Sequence, residues 1–212
     1  MQIFNYTFNR ICVNTYLLLA ADGTAALIDP GCSNPEEEGQ LQQAVTEKKA
    51  KVKYILLTHA HADHIQGCEW AKKFFPQAVF AAHADCSDDY RRANVYGSIF
   101  GFNEHCYPPF DRLLQHGDTL TFGTETLHVL HTPGHARGSV CYHQEESGVL
   151  FSGDTLFCQS VGRTDLPGGS PDDLVQSLKQ LALLPAETKI LPGHGEPTDL
   201  YFETMNNPYF SL

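Results

Sequence analysis

The sequence has no long apolar run. Although 42% of its 212 residues are hydrophobic, no stretch approaches the ~18 consecutive apolar positions of a membrane-spanning helix. The opening residues, MQIFNYTFNRICVNTY, lack the basic segment, apolar stretch and small-residue cleavage site of a secretory signal, so a cytoplasmic protein is expected. Positive charge is also short. Fourteen Lys and Arg stand against 25 Asp and Glu, a net charge of −11, and the basic residues form no stripe. That argues against nucleic acid as a partner, because such binding rests on cations neutralising phosphates. The densest basic cluster, EKKAKVK at 47–53, reads as the solvated end of a helix leading into a strand. Cysteine is present seven times, but the number is odd and no pair is spaced C-x-x-C, which leaves free, mostly buried thiols as the expectation. No internal repeat and no low-complexity segment stands out, and at this length one domain over 1–212 is expected.

What is present is an alternation of short β-rich runs with helical patterns. CVNTYLLLA (12–20) and TAALIDPG (24–31) read as strands paired around ADG. A helix follows, with Asn34 as N-cap, Pro35 at its first position, and Leu41, Ala44 and Val45 on its apolar side. VKYILLTH (52–59) is apolar on both faces, as an interior strand is. A helix starting near His64 would align Ile65, Cys68, Ala71 and Phe75, and AVFAAH (78–83) is another strand. Residues 84–112, rich in aromatics and broken by Gly and Pro, read as irregular and partly helical. DTLTFG, ETLHVLHTPG, SVCYHQ and GVLFSGD return to strand. A late helix has Ser170 as N-cap, Pro171 next, and Leu174, Val175, Leu178 and Leu181 as its stripe, and TKILPGHG (188–195) closes the series. Two packed sheets with helices outside fit this order.

Several of these strands run directly into residues of metal-ligand type. AALI ends at Asp29, YILLT at His59, His61, Asp63 and His64, LHVLHTPG at His135, GVLFSG at Asp154, and TKILPG at His194. Gly precedes the ligand-type residue in the last three, which permits sharp turns and close approach. If these strand ends gather, one rim collects five His and two Asp besides Asp29. Imidazole suits zinc, iron and related ions, and a carboxylate can bridge two of them. Seven donors exceed the needs of one catalytic ion and suit two, about 3.5–4 Å apart. The remaining histidines, including His131, read as strand or surface residues, except that His83 ends a strand and could border a pocket. Arg163 is open between pairing with Asp165 and touching a substrate. Tyr90, Arg91 and Arg92 are weaker candidates, and the aromatics from Tyr96 to Phe110 read as packing.

THAHADH (58–64), HTPGHARGS (131–139), FSGDTLF (151–157) and LPGHG (191–195) resemble, in order, the motifs of the metallo-β-lactamase fold superfamily. The resemblance implies an α/β fold of the α+β kind: a four-layered αββα sandwich of two mixed sheets with outer helices. By position it puts His59, His61 and His135 on one ion, Asp63, His64 and His194 on a second, and Asp154 between them. Asp29 matches an acid that supports a ligand without binding metal. SVGRTDLPGGS (160–170) is similar to small glyoxalase II-like hydrolases. That implies a hydrolase with two divalent ions, zinc first and iron or manganese as other occupants. Hydroxide shared by the ions, beside Asp63 and Asp154, would attack a thioester such as S-D-lactoylglutathione, with Arg163 where such enzymes meet a substrate carboxylate. Only 18 residues follow His194, so the helical C-terminal domain of full-length glyoxalase II is expected to be absent and the pocket more open. Antibiotic-hydrolysing members typically carry Cys where Asp154 stands. The alternatives are a persulfide dioxygenase with one iron on His59, His135 and Asp154, a lactonase or other ester hydrolase, and a non-catalytic metal-binding relic.

Overall fold

The computed structural model describes residues 1–211. Strands β1 (Gln2–Phe8), β2 (Val13–Leu19) and β3 (Thr24–Ile28) form an antiparallel meander. Helix α1 (Pro35–Glu47) then crosses to β4 (Lys51–Leu56), which runs parallel to β3. Helices α2 (Ala62–Ile65) and α3 (Cys68–Phe74) lead to β5 (Val79–His83), and α4 (Ser87–Ile99) leads to β6 (Arg112–Leu114); both strands add in parallel. The second sheet starts with β7 (Thr119–Phe122), β8 (Glu125–His131), β9 (Val140–Gln144) and β10 (Val149–Gly153), all antiparallel neighbours. A small hairpin of β11 (Leu156–Phe157) and β12 (Ser160–Val161) follows. Helix α5 (Pro171–Leu181) carries the chain to β13 (Lys189–Pro192), parallel to β10, and β14 (Thr198–Asp199) and α6 (Leu200–Asn206) complete it. The two six-stranded sheets are mixed, with orders β1-β2-β3-β4-β5-β6 and β14-β13-β10-β9-β8-β7.

Side-chain alternation along the strands sorts the apolar residues into three layers of core. Leu17, Leu27, Ile55 and Phe80 face outward from the first sheet and meet Leu41 of α1, Cys68 of α3 and Ala93 of α4. Leu18, Ala26 and Leu56 face the other way and meet Phe122, Val129, Tyr142 and Phe151 of the second sheet. Leu150 and Ile190, on that sheet's far side, are covered by Leu174, Leu178 and Leu181 of α5 and Leu200 of α6. The architecture is the four-layered αββα sandwich. Helix α1 carries the expected cap, with Asn34 Oδ1 accepting from the amides of Glu36 and Glu37 at 3.1 and 3.0 Å. In α5, Ser170 caps the amide of Asp173.

Three features depart from the pattern-based reading. Strand β1 was not expected; it is an edge strand with half-exposed alternation, QIFNYTF, and no turn residues mark its start. Helix α4 is a full 13 residues inside the segment read as irregular. It buries only Ala93 and Gly97, so it leaves almost no apolar stripe in the sequence. The helix expected from His64 is two helices broken at Gly67. There the backbone passes so close to its neighbour that a Cβ would meet Cys32 Sγ at 2.2 Å and the Pro30 carbonyl at 2.8 Å. Ile65, Cys68 and Ala71 are nevertheless buried on one side, as their spacing implies. The seven cysteines are free, four of them buried. No helix among the described residues is long and apolar enough to cross a membrane.

Candidate metal centre

The two sheets are stitched together at one rim, and the ligand-type residues lie along the seam. The Asn14 amide donates to the Gly193 carbonyl at 2.7 Å, Val140 to Thr58 at 2.8 Å, and the Tyr142 hydroxyl to the Leu57 carbonyl at 2.6 Å. Tyr16 and Asn14 side chains both reach the Pro192 carbonyl, at 2.7 and 3.0 Å. These bonds fix the ends of β2, β4, β9 and β13 against one another. The backbone at Gly193 presses so closely on the site that a Cβ there would stand 2.2 Å from Asp154 Oδ1 and 2.8 Å from His64 Cε1. The glycine is there to allow that approach.

The structure brings His59, His61, Asp63, His64, His135, Asp154 and His194 together. The ligand atoms of His59, His61 and His135 lie within 4.8 Å of one another, and so do those of Asp63, His64 and His194. Asp154 stands between the groups: Oδ1 is 3.3 Å from His64 Nε2, and Oδ2 is 3.6 Å from both His135 Nε2 and His194 Nε2. Two donors about 2.1 Å from an ion at the tetrahedral angle stand about 3.4 Å apart. The spacings of the second group, 3.1 Å for His194 to Asp63 and 3.6 Å for His64 to Asp63, bracket that value.

The hydrogen bonds set which nitrogen each ring offers. His64 Nδ1 donates to Asp29 Oδ2 at 2.9 Å, His135 Nδ1 to the Arg163 carbonyl at 2.8 Å, and His194 Nδ1 to the Cys12 carbonyl at 3.2 Å. The Thr58 hydroxyl donates to Asp29 Oδ2 at 2.6 Å and so can accept from His59 Nδ1, 3.2 Å away. Four rings therefore point Nε2 inward, the orientation that outer partners impose on metal-binding histidines. His59 Nε2, His135 Nε2 and Asp154 Oδ1 are buried without a hydrogen-bond partner. Buried polar atoms are rarely left so, and three in one cluster of ligand-type residues fit bound cations. Asp29 also accepts from the Thr58 amide at 2.7 Å, which locks the start of THAHADH to β3.

Charge follows the same logic. Burial, with His64 and His61 beside it, holds His59 well below the ordinary imidazole value, and burial and His135 bring His61 down to about 4. Burial acts against protonating His64 too, but Asp154, Asp63 and Asp29 override it and raise that ring well above its ordinary value. Burial would raise the carboxyls of Asp63 and Asp154; the charge of His64 outweighs it and holds both low. Neutral His59 and His61 thus sit beside the ionised carboxylates of Asp63 and Asp154 and a protonated His64, and a bound cation would displace that proton.

Other residues fall differently. His83 does not line the cavity at this rim. It is buried and stacked on His131, ring centroids 3.9 Å apart and planes 9° from parallel. His83, Asp85 and His131 also bring ligand-type atoms together, but in-plane lone pairs of nearly parallel rings cannot converge on an ion between them. Arg163 takes one of the two roles left open for it, its guanidinium gripping Asp165 through two 2.7 Å bonds, and it is also a lining residue of the cavity. The role sequence reasoning missed is its carbonyl, which orients His135. Arg91 pairs with Asp88 on the surface, and Tyr90 donates to the Pro108 carbonyl. Tyr96 and Phe100, read as packing, line the cavity, whereas Tyr107 and Phe110 do pack against the core. The cavity itself measures about 700 Å³ and opens directly onto the cluster.

Residues 11–194 match the family described as the metallo-beta-lactamase superfamily, and the chain belongs to it. It is 34% identical to the probable metallo-hydrolase YqgX of Bacillus subtilis, over 95% of this chain and 93% of that one. It is 30% identical to the hydroxyacylglutathione hydrolase GloC of Haemophilus influenzae, over 93% and 92%. Among solved structures, the BLEG-1 B3 metallo-beta-lactamase superposes with a TM-score of 0.87 at 33% identity, over the whole of both chains. TTHA1623 in a di-iron-bound form gives 0.88 at 36% identity, over 97% of this chain and 99% of that one. Family, fold and the His/Asp cluster together indicate a binuclear metal site in a metallo-hydrolase.

Proposed function

We propose that the protein hydrolyses thioesters with two divalent ions held at this rim. His59, His61 and His135 would hold one, Asp63, His64 and His194 the other, and Asp154 would face both. The observation that carries the reading is Asp154, whose carboxylate stands within 3.6 Å of His135 in one donor group and of His64 and His194 in the other. When bound, the ions supply Lewis acidity: they lower the pKa of water toward neutrality and polarise a carbonyl. The chain's own residues do the positioning. Asp29 and the carbonyls of Arg163 and Cys12 fix the rings of His64, His135 and His194. Asp63 and Asp154, kept ionised, can take the proton that a water loses on attack. In the reaction the acyl carbon gains an oxygen from water, the carbon–sulfur bond breaks, and the thiolate leaves with its electron pair. A thiolate needs no dedicated acid to depart at neutral pH. Relatives described as hydroxyacylglutathione hydrolases support the thioester class, with zinc as the first ion to test.

The rival reading, oxygenation of a persulfide, uses one iron on His59, His135 and Asp154 and gives no role to the Asp63, His64 and His194 group. Elemental analysis of the purified protein, with hydrolysis of a thioester set including S-D-lactoylglutathione and oxygen uptake on glutathione persulfide, separates the two. The expectation is two ions per chain and thioester cleavage. One iron per chain, oxygen consumption and no cleavage would overturn it.

A further inference from the structure

The cavity in front of the cluster has a large apolar share of lining besides the metal ligands. Ile11, Tyr96, Ile99, Phe100, Phe157 and Leu166 line it. Ile99 is 74% exposed and Phe100 44%, so α4 presents large apolar side chains to open space beside a polar centre. Scattered exposed apolar residues are ordinary, but a contiguous apolar wall that ends at convergent polar groups is how a small-molecule site is built. The polar end is itself unsatisfied: His135 Nε2 and Asp154 Oδ1 are buried without partners and belong to residues of the same cavity.

The charges at the wall point the same way. Arg163 is the one Lys or Arg among the lining residues, and Asp165 already holds its guanidinium through two bonds. Asp89 adds an acidic side chain to the lining outside the proposed metal ligands. Glutathione brings two carboxylates and one ammonium. Its conjugates would place net negative charge beside this wall, where Arg163, already held by Asp165, is the one Lys or Arg among the lining residues, in a chain of net charge −11.

We infer that the site selects thioesters whose leaving thiol carries a neutral apolar group, aryl or alkyl, seated on the wall formed by α4, Ile11 and Leu166. The inference rests on the thioesterase reading above and narrows its substrate class. The test compares S-benzyl thiobutyrate with S-butyrylglutathione, which share an acyl group and have alkyl thiols as leaving groups. The metal-loaded protein is expected to show a kcat/KM at least tenfold higher for the benzyl ester. Ile99→Asp, on an exposed position, should lower kcat/KM for the benzyl ester tenfold or more, mainly through KM, and shrink the ratio between the two. In parallel, the fluorescence of neutral N-phenyl-1-naphthylamine should rise on adding the protein, with at least tenfold weaker binding to Ile99→Asp. Equal rates, or a preference for S-butyrylglutathione, overturn the inference while the thioesterase reading stands. If neither ester is cleaved while S-D-lactoylglutathione is, the inference fails and the thioesterase reading stands; if no thioester of the set is cleaved, both fail. Probe binding that ignores Ile99→Asp removes the apolar wall as a binding surface.

Discussion

Asp29 offers no atom to either donor group, yet much of the site depends on it. It is buried, sits at φ +47°, and accepts from the Thr58 amide, the Thr58 hydroxyl and His64 Nδ1. Replacing it with Ala would leave three buried donors unanswered and put a Cβ-bearing residue without a polar side chain in left-handed backbone. We expect Asp29→Ala to cost about 3 kcal/mol of stability. Metal affinity should fall by roughly 10–100-fold, the usual consequence of removing such a partner. Chemical denaturation and metal titration measure the two; an unchanged metal affinity would remove Asp29 from the orientation of His64. All seven candidate ligands could be picked from the sequence because their side chains are chemically distinctive. What fixes His135 and His194, the carbonyls of Arg163 and Cys12, could not. Every residue carries a carbonyl, and only the folded path says which one faces a ring.

At the scale of elements, legibility tracked apolar pattern. Helices α1 and α5 were readable down to their caps, since Asn34-Pro35 and Ser170-Pro171 sit before clear apolar stripes. Helix α4 was not, because its buried face is Ala93 and Gly97 while Tyr96 and Ile99 turn to the cavity. The residues that hid the helix are thus the ones that give the pocket its character. The break between α2 and α3 was hidden for another reason. Gly67 looks like a tolerable glycine within a helix, and the need for it comes from β3's exit, 35 positions earlier at Cys32. Gly67→Ala should destabilise the protein by at least about 2 kcal/mol, because the Pro30 carbonyl is backbone and cannot swing aside. Gly39→Ala in α1, where an added Cβ meets nothing within 4 Å, should instead be neutral or mildly stabilising. Equal melting temperatures for the two variants would contradict the packing described here.

For the whole molecule, the donors arrive from far apart in the chain: His64 and His194 are 130 positions distant, yet their ring nitrogens lie 3.3 Å from each other. Strand order across two sheets is what unites them, and no local periodicity encodes it. The site therefore exists only when both sheets have formed and docked. Ions bound at about a thousand times their dissociation constant stabilise by about 4 kcal/mol. For a chain of this size that corresponds to a melting temperature roughly 10 °C higher. Chelation should lower the melting temperature by about that amount, and re-addition of zinc should restore it. A melting temperature indifferent to verified metal removal would mean that the donors do not hold an ion in the folded state. The seven free thiols form no covalent tie anywhere in the chain. A pair of metal ions spanning β4, β10 and β13 would serve as a cross-link, closing the long loops whose entropy a disulfide would otherwise restrict. Unlike a disulfide, it would contain no reducible bond and would dissolve in acid, where its imidazoles and carboxylates are protonated.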